Sequence, residues 1–264
     1  MKAKGKTFIV TGAGSGMGQS ITLELIKRGA NVVTADINLD GMKDTKKLAN
    51  VDDGRIKSYE LNISDEQGVE KFKEKVLNDF ESIDGLINNA GIIQPFVDID
   101  SLEVEKIKSI MDVNFYGCLY MTKAFLPHLK ERPEAHLSNV SSMGGFIPFP
   151  GQTAYGASKA AVKMLSEGLN SELHGSNVHV TVIFPGAVNT NITKNSGVDM
   201  RNSGSEEQAA QTLSAESAAT QIVNAIEKNK YRVMVGKDAK FLNFFYRLFP
   251  EKASLFIAKK MKQT

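Results

Sequence analysis

The sequence holds a single cysteine, no tryptophan, seven prolines and no excess of charge of either sign. With Cys118 alone, an intrachain disulfide framework and a cysteine zinc cluster are both excluded. The four histidines, His128, His136, His174 and His179, fall in no HExxH or comparable spacing, so no metal site is read. Against 32 Lys and Arg stand 30 Asp and Glu, a balance too even to indicate a nucleic-acid partner. No run approaches the ~20 apolar residues that span a bilayer. The apolar stretch Thr7–Val10 after Lys6 is too short for the core of a signal peptide. A cytoplasmic protein without a transmembrane segment is expected. Disorder is excluded as well, because 42% of the 264 residues are hydrophobic and the net charge is only +2.

What is present is an alternation of short apolar strands and longer amphipathic helices. Strands are predicted at Thr7–Thr11, Asn31–Asp36, Ile56–Leu61, Gly85–Asn88, His136–Val140, Val178–Phe184 and Arg232–Val235. Between them fall helices at Gly16–Arg28, Asn38–Ala49, Val104–Leu129, Thr153–Leu173 and Ala215–Lys228, and one capped by Ser64 that runs to Phe80. This rhythm predicts an α/β fold, a doubly wound parallel sheet in a single domain over residues 1–237. Residues 186–213 form a polar connection long enough to be a lid or binding loop. A helical extension is predicted over 238–264. There Phe241, Phe244, Phe245, Leu248 and Phe249 recur at helical spacing before Pro250. So many aromatics must cover something. The substrate pocket, a neighbouring subunit and, given Lys259, Lys260 and Lys262, a membrane surface are the alternatives.

The chemistry-bearing residues lie at strand ends. Thr11-Gly-Ala-Gly-Ser-Gly-Met-Gly18 joins the first strand to the first helix, so backbone N–H groups and the helix N-terminus can meet a pyrophosphate. The pattern is TGxxxGxG rather than GxGxxG, and the turn places Gly12, Ser15, Gly16, Met17 and Gly18 against the ligand. Asp36, with Ile37 behind it, ends the second strand 18 residues past Gly18, where a carboxylate can accept from both hydroxyls of an adenosine ribose. Tyr155 and Lys159 are four apart on one helix face, where an ammonium would favour the phenolate. Ser142 precedes Tyr155 by 13 residues. Asn88-Asn89-Ala90-Gly91 ends the fourth strand with small residues that admit a ligand. Asn114 is an amide inside a predicted helix, an unfavourable place that needs a reason. Pro185-Gly186, with Thr190 beyond, ends the sixth strand.

In this order and spacing the motifs resemble those of the short-chain dehydrogenase/reductase family, in its roughly 250-residue classical form. The resemblance runs from Lys6 to about Val235. It implies a Rossmann fold of seven parallel strands in the order 3-2-1-4-5-6-7. It also implies a tetrad in which Tyr155 is the general acid/base, Ser142 holds the substrate oxygen, Lys159 binds the nicotinamide ribose and lowers the tyrosine pKa, and Asn114 positions a water. Asn89, Ala90, Gly91, Pro185, Gly186, Val188 and Thr190 match positions that line the cofactor. Asn62, beside Ile63, stands where the family usually has an aspartate facing the adenine amino group. Its amide oxygen is expected to accept the same bond. Asp36 points to NAD, because a 2′-phosphate would meet its charge while Ser15 and Ile37 offer no cation. The substrate is expected to be a small, fairly apolar alcohol or ketone against Ile93, Gln94, Ser142, Met143, Phe146, Phe149, Gln152 and Tyr155. The family is often tetrameric through the helices holding Asn114 and Tyr155, so a homo-oligomer, dimer or tetramer, is expected. A non-catalytic dinucleotide-binding regulator is the alternative to an enzyme; it would not need the Ser, Tyr and Lys set intact.

Overall fold

Thr7–Thr11 is buried at every position, as a strand covered on both faces of a parallel sheet must be. A computed structural model describes residues 1–198 and 212–262 and makes this segment β1, an interior strand of the sheet. The chain continues through α1 (Gly16–Lys27), β2 (Asn31–Asp36), α2 (Leu39–Ala49), β3 (Ile56–Glu60), α3 (Glu66–Asp79) and β4 (Gly85–Asn88). Then come α4 (Val104–Met111), a π-helical turn (Asp112–Gly117), α5 (Cys118–Lys130), β5 (Ala135–Val140), α6 (Thr153–Glu172) and β6 (Val178–Pro185). A short strand β7 (Val188–Asn189), one turn of helix α7 (Ile192–Asn195), β8 (Leu213–Ser214), α8 (Ala215–Glu227) and β9 (Arg232–Val235) follow. The chain ends in α9 (Lys237–Leu248) and α10 (Pro250–Lys262).

Seven strands pair in the order β3-β2-β1-β4-β5-β6-β9, all parallel, which is the predicted Rossmann sheet. Alternation along β1 divides the core. Val10 packs with Ile21 and Leu25 of α1 and Ile222 and Val223 of α8. Ile9, one residue earlier and therefore on the opposite face, packs with Phe72 of α3 and Phe125 and Leu129 of α5. The chain leaves β1 toward β2 on one side and returns to β4 on the other. This reversal opens a crevice beyond the carboxyl ends of β1 and β4.

Several boundaries differ from the expectation. Asp65, not Ser64, caps α3, accepting from Gln67 N (3.1 Å), because Ser64 is already turned back onto Asn62. The single helix expected over Val104–Leu129 is interrupted by the π turn that contains Asn114. Pro250 does end a helix, yet it also opens another, at the first position where its missing N–H costs nothing. Of the 186–213 connection, residues 199–211 lie outside the described residues.

The aromatic stripe of α9 is split between two environments. Leu242, Phe245 and Tyr246 turn inward with Ala253 and Ile257 of α10 and pack on Phe146, Ile147 and Phe149. Phe241, Phe244, Leu248 and Phe249 stay exposed on this chain. A helix of this length lying on a surface has two sides, and only one can reach Ile147.

At the opposite end of the sheet Asp84 is 2% exposed and joins three elements. Its carboxylate accepts from Thr7 N (3.0 Å) and pairs with Lys6 Nζ (3.2 Å) and Arg132 Nε (3.0 Å). Asp84→Ala leaves the Thr7 amide without a partner while both cations can turn to water. Stability is expected to fall by about 2 kcal/mol in urea unfolding, with dinucleotide affinity unchanged because the crevice is at the other end.

Candidate active site

The crevice is a cleft of about 350 Å³. Its floor is the β1–α1 turn, where Gly12 and Gly16 take positive φ (68° and 52°). Glycine is also required by contact, since a Cβ on Gly12 would lie 2.9 Å from Ala90 Cα and one on Gly18 2.0 Å from Gly12 O. The turn is fastened to the end of β4 by Thr11, whose Oγ1 accepts from Asn89 N (3.0 Å) and Ala90 N (3.1 Å). Ser15, at the start of α1, makes no side-chain cap, so the first N–H groups of that helix meet the cleft. Asn89 Oδ1 is buried beside it with no hydrogen-bond partner among the described residues. A positive helix end, a glycine-rich turn and an orphaned acceptor fit a dinucleotide.

Most of the expected cofactor residues line this cleft. They are Gly12, Ser15, Gly16, Met17 and Gly18 from the turn, Asp36 and Ile37 after β2, Asn62 and Ile63 after β3, Asn89, Ala90 and Gly91 after β4, and Thr190. Asp36 is held rigidly, Oδ2 accepting from Gly14 N (2.8 Å) and Oδ1 from Asn38 N (2.9 Å). Asn62 lines the cleft, but its amide oxygen accepts from Ser64 N (3.1 Å) and Ser64 Oγ (2.8 Å). Both lone pairs are thus engaged, which corrects the expectation that this oxygen waits for an adenine amino group. Pro185, Gly186 and Val188 are not in the wall, and neither are Tyr155 and Lys159. Pro185 and Gly186 are bonded to the end of β9, and Val188 pairs with Leu213. Sequence reasoning missed Asn191, Ile192 and Asn195, which close the cleft from above. Asn195 Nδ2 reaches across to Ser15 Oγ (2.8 Å), a contact between residues 180 apart that no local pattern signals.

Beyond the β4 end of the cleft other candidates come together. A Cβ on Gly91 would stand 3.0 Å from Asn114 Oδ1 and 3.1 Å from Lys159 Nζ, so the bare glycine leaves room where the two meet. Lys159 is 3% exposed; Nζ donates to Val140 O (2.9 Å) and lies 6.0 Å from the centre of the Tyr155 ring. Burial loosens its proton, bringing the pKa down to about 8. Burial also raises the Tyr155 phenol above its ordinary value, while the Ser142 hydroxyl pulls it back. The expected lowering of Tyr155 by the lysine is therefore not what this packing produces. Desolvation of the phenol prevails, and the ammonium is aimed at a carbonyl.

Asn114 explains its own awkward position. In the π turn its Oδ1 accepts from Ile92 N (2.8 Å), and its Nδ2 donates to Ile92 O (2.9 Å) and Ser158 Oγ (2.9 Å). Its side chain locks the loop after β4 onto α6. Ser142 starts a single 3-10 turn and accepts from Gly144 N (3.1 Å).

Two expected substrate residues are displaced. Gln94 is fully buried; Nε2 donates to Gly151 O (2.7 Å) and Oε1 accepts from Tyr155 N (3.0 Å). Gln152 is buried too, donating to Gln94 O (3.0 Å). Both brace the first turn of α6 instead of facing a substrate. Ile93 is buried and bonded through its N–H to Ser196 Oγ (3.0 Å). Met143, Phe146 and Phe149 remain partly open beneath α9 and α10.

Comparison with known proteins agrees with this geometry. The family model for short chain dehydrogenases matches residues 6–201. SadH of Mycobacterium tuberculosis is 34% identical over 255 residues, covering 93% of this chain and 91% of that protein. Among solved structures, a short chain dehydrogenase/reductase from Burkholderia phymatum in complex with NAD superposes with a TM-score of 0.82 at 22% identity, covering 94% of this chain and 96% of that one. A short chain dehydrogenase from Burkholderia cenocepacia in complex with NADP gives 0.81 at 24% identity, covering 97% and 99%.

The buried ammonium has a measurable cost. Its pKa is about 8 in the folded chain against an ordinary 10.5. Between those values the unfolded chain keeps a proton the folded one has released, so this group makes stability rise with pH across that window. Below pH 8 the full penalty of the buried charge applies. Lys159→Met is therefore expected to raise Tm at pH 7 by a few °C and to flatten the rise toward pH 10 in calorimetry. A lower Tm at pH 7 would show that the ammonium–Val140 contact outweighs desolvation.

Proposed function

We propose that this chain, which belongs to the short-chain dehydrogenase/reductase family, is an NAD-dependent oxidoreductase acting on a fairly apolar secondary alcohol or its ketone. The observation that carries the reading is the meeting of Tyr155, Ser142 and Lys159 beyond a glycine-floored cleft whose rim ends in a fixed carboxylate, Asp36. Bound in that cleft, the dinucleotide supplies the carbon that accepts or donates the hydride. The residues of the chain do the rest. Tyr155 Oη carries the proton, giving it to the carbonyl oxygen in reduction and taking it from the hydroxyl in oxidation. A phenol raised by burial is held protonated at neutral pH, ready to donate. Ser142 Oγ binds the same substrate oxygen. Lys159 binds the ribose. Asn114 is a positioning residue that acts through Ile92 and Ser158.

Met143, Phe146 and Phe149 shape the substrate side, and the roof above them is Leu242, Phe245 and Tyr246. Such a lining suits a hydrocarbon-rich substrate. Exposed Val104, Tyr116 and Met164, on α4, the π turn and α6, support assembly into a homo-oligomer through those elements. The cytoplasm is the compartment this reading implies.

Tyr155→Phe removes the proton carrier and keeps the ring. It is expected to bind NADH as the parent does and to lose at least ~100-fold in turnover against a panel of alcohols and ketones followed by NADH absorbance. Retention of more than about a tenth of the activity would remove Tyr155 from the acid/base role.

The choice of NAD rests on Asp36. The two solved relatives hold NAD in one case and NADP in the other. Here the carboxylate is fixed between two backbone amides, and the nearby Lys43 and Lys46 are paired with Asp40 and Asp53. Like charges would oppose a 2′-phosphate. NAD is expected to exceed NADP by at least ~100-fold in kcat/KM, near 3 kcal/mol, and Asp36→Ala with Ile37→Arg should narrow or invert the ratio. Equal efficiency with NADPH in the parent enzyme would overturn the assignment.

A further inference from the structure

We propose that the exposed side of the α9–α10 hairpin is a docking surface for an anionic lipid bilayer. The two helices share an inward face, on which Leu242, Ala253 and Ile257 are buried against Ile147. Their outward face carries Phe241, Phe244, Leu248 and Phe249 from α9 and Leu255 and Phe256 from α10, each about half exposed or more. Five phenylalanines are exposed among the described residues, and four of them lie here, Phe96 being the fifth. The ridge is continuous, because Phe245 touches Phe241 (5.8 Å), Phe249 (6.2 Å) and Phe256 (6.0 Å) between ring centres.

Charge decides what covers it. From Lys237 to the C-terminus the sequence has seven Lys or Arg and two acids, whereas the remainder of the chain is net negative. One of the acids, Asp238, is tied to Ala187 N (2.7 Å) and contributes least to the surface. Lys237, Lys240, Arg247, Lys252, Lys259 and Lys260 are all exposed beside the ridge. Lys252 Nζ sits over the Phe249 ring, 5.5 Å from its centre, so a cation lies directly on the ridge. A second copy of this chain is a poor occupant, since a two-fold contact would set each basic patch against itself. Phenylalanine and leucine flanked by lysine and arginine match an acyl boundary beneath anionic headgroups. No helix among the described residues is long and apolar enough to cross a membrane, so the hairpin lies in the surface plane.

The inward face of the same hairpin roofs Phe146 and Phe149. Where the proposed function holds, docking would therefore bring the substrate side of the enzyme to the surface in which an apolar alcohol dissolves.

Full-length protein is mixed with phosphatidylcholine vesicles, with and without about 30% phosphatidylglycerol, at about 0.1 M NaCl, and sedimented. Binding is expected to the anionic vesicles and to be at least ~10-fold weaker to the neutral ones. Phe241→Ser/Phe244→Ser/Phe256→Ser, checked for an unchanged circular dichroism spectrum, is expected to lose at least ~10-fold of it. Lys237→Glu/Lys240→Glu/Lys252→Glu, which alters only exposed charges, should lose it too. Failure of the parent to sediment with anionic vesicles overturns the proposal, as does undiminished binding by both variants. A parent dimer on a sizing column that the phenylalanine variant dissolves, without vesicle binding, assigns the face to a second copy instead. Sedimentation reads no turnover, so an inactive protein that binds vesicles refutes only the enzymatic reading, and an active one that does not refutes only the docking.

Discussion

A lysine buried to 3% exposure, its ammonium donating to a carbonyl oxygen, is the constraint that organises this end of the molecule. An ammonium held there is costly, and its lowered pKa expresses that cost. The surroundings keep it in place by covalent geometry. Lys159 rides on α6, whose first turn is braced by Gln94 and Gln152, while Ser141 Oγ donates to Lys159 O (2.7 Å). The same α6 carries Tyr155 one turn earlier, so whatever fixes the lysine fixes the phenol. A charge buried at this point lowers stability, which is what the proposed chemistry would leave behind.

The sheet and much of the cleft were legible because each is dictated locally. A fully apolar strand followed by glycines and an amphipathic helix admits few arrangements, and Gly12 and Gly18 have contacts that no larger residue tolerates. Asp36 was readable from its distance along the chain, because the strand it ends is paired with β1 in register, Thr11 facing Ala35. The order of the strands was not in the residues themselves; it came with the resemblance.

What stayed hidden depends on contacts between distant segments. Gln94 reads as a polar residue in a loop and so as a substrate contact, yet α6 needs its amide to satisfy Tyr155 N, 61 positions away. Asn114 was suspect as a helix residue, but the π turn that gives it reason cannot be seen in spacing alone. The tyrosine pKa was misjudged for a similar cause. A lysine four residues away on one face suggests proximity, whereas the structure aims its Nζ at Val140 and leaves burial to govern the phenol.

The tail is joined to the core more closely than an appended helix would be. Asp238, in the first turn of α9, accepts from Ala187 N (2.7 Å) in the loop that follows β6. A Cβ on Gly186 would lie 2.2 Å from that carboxylate, so the glycine is what allows the approach. The same loop runs on through Val188 to Thr190 at the edge of the dinucleotide cleft. One carboxylate thus fixes both the start of the helix that roofs Phe146 and Phe149 and the start of the loop that borders the cleft. A shift of α9 cannot leave that loop where it stands without breaking the Asp238 bond. The helix that carries the outward phenylalanines and the loop that borders the cleft are thus joined through one contact of ordinary hydrogen-bond length.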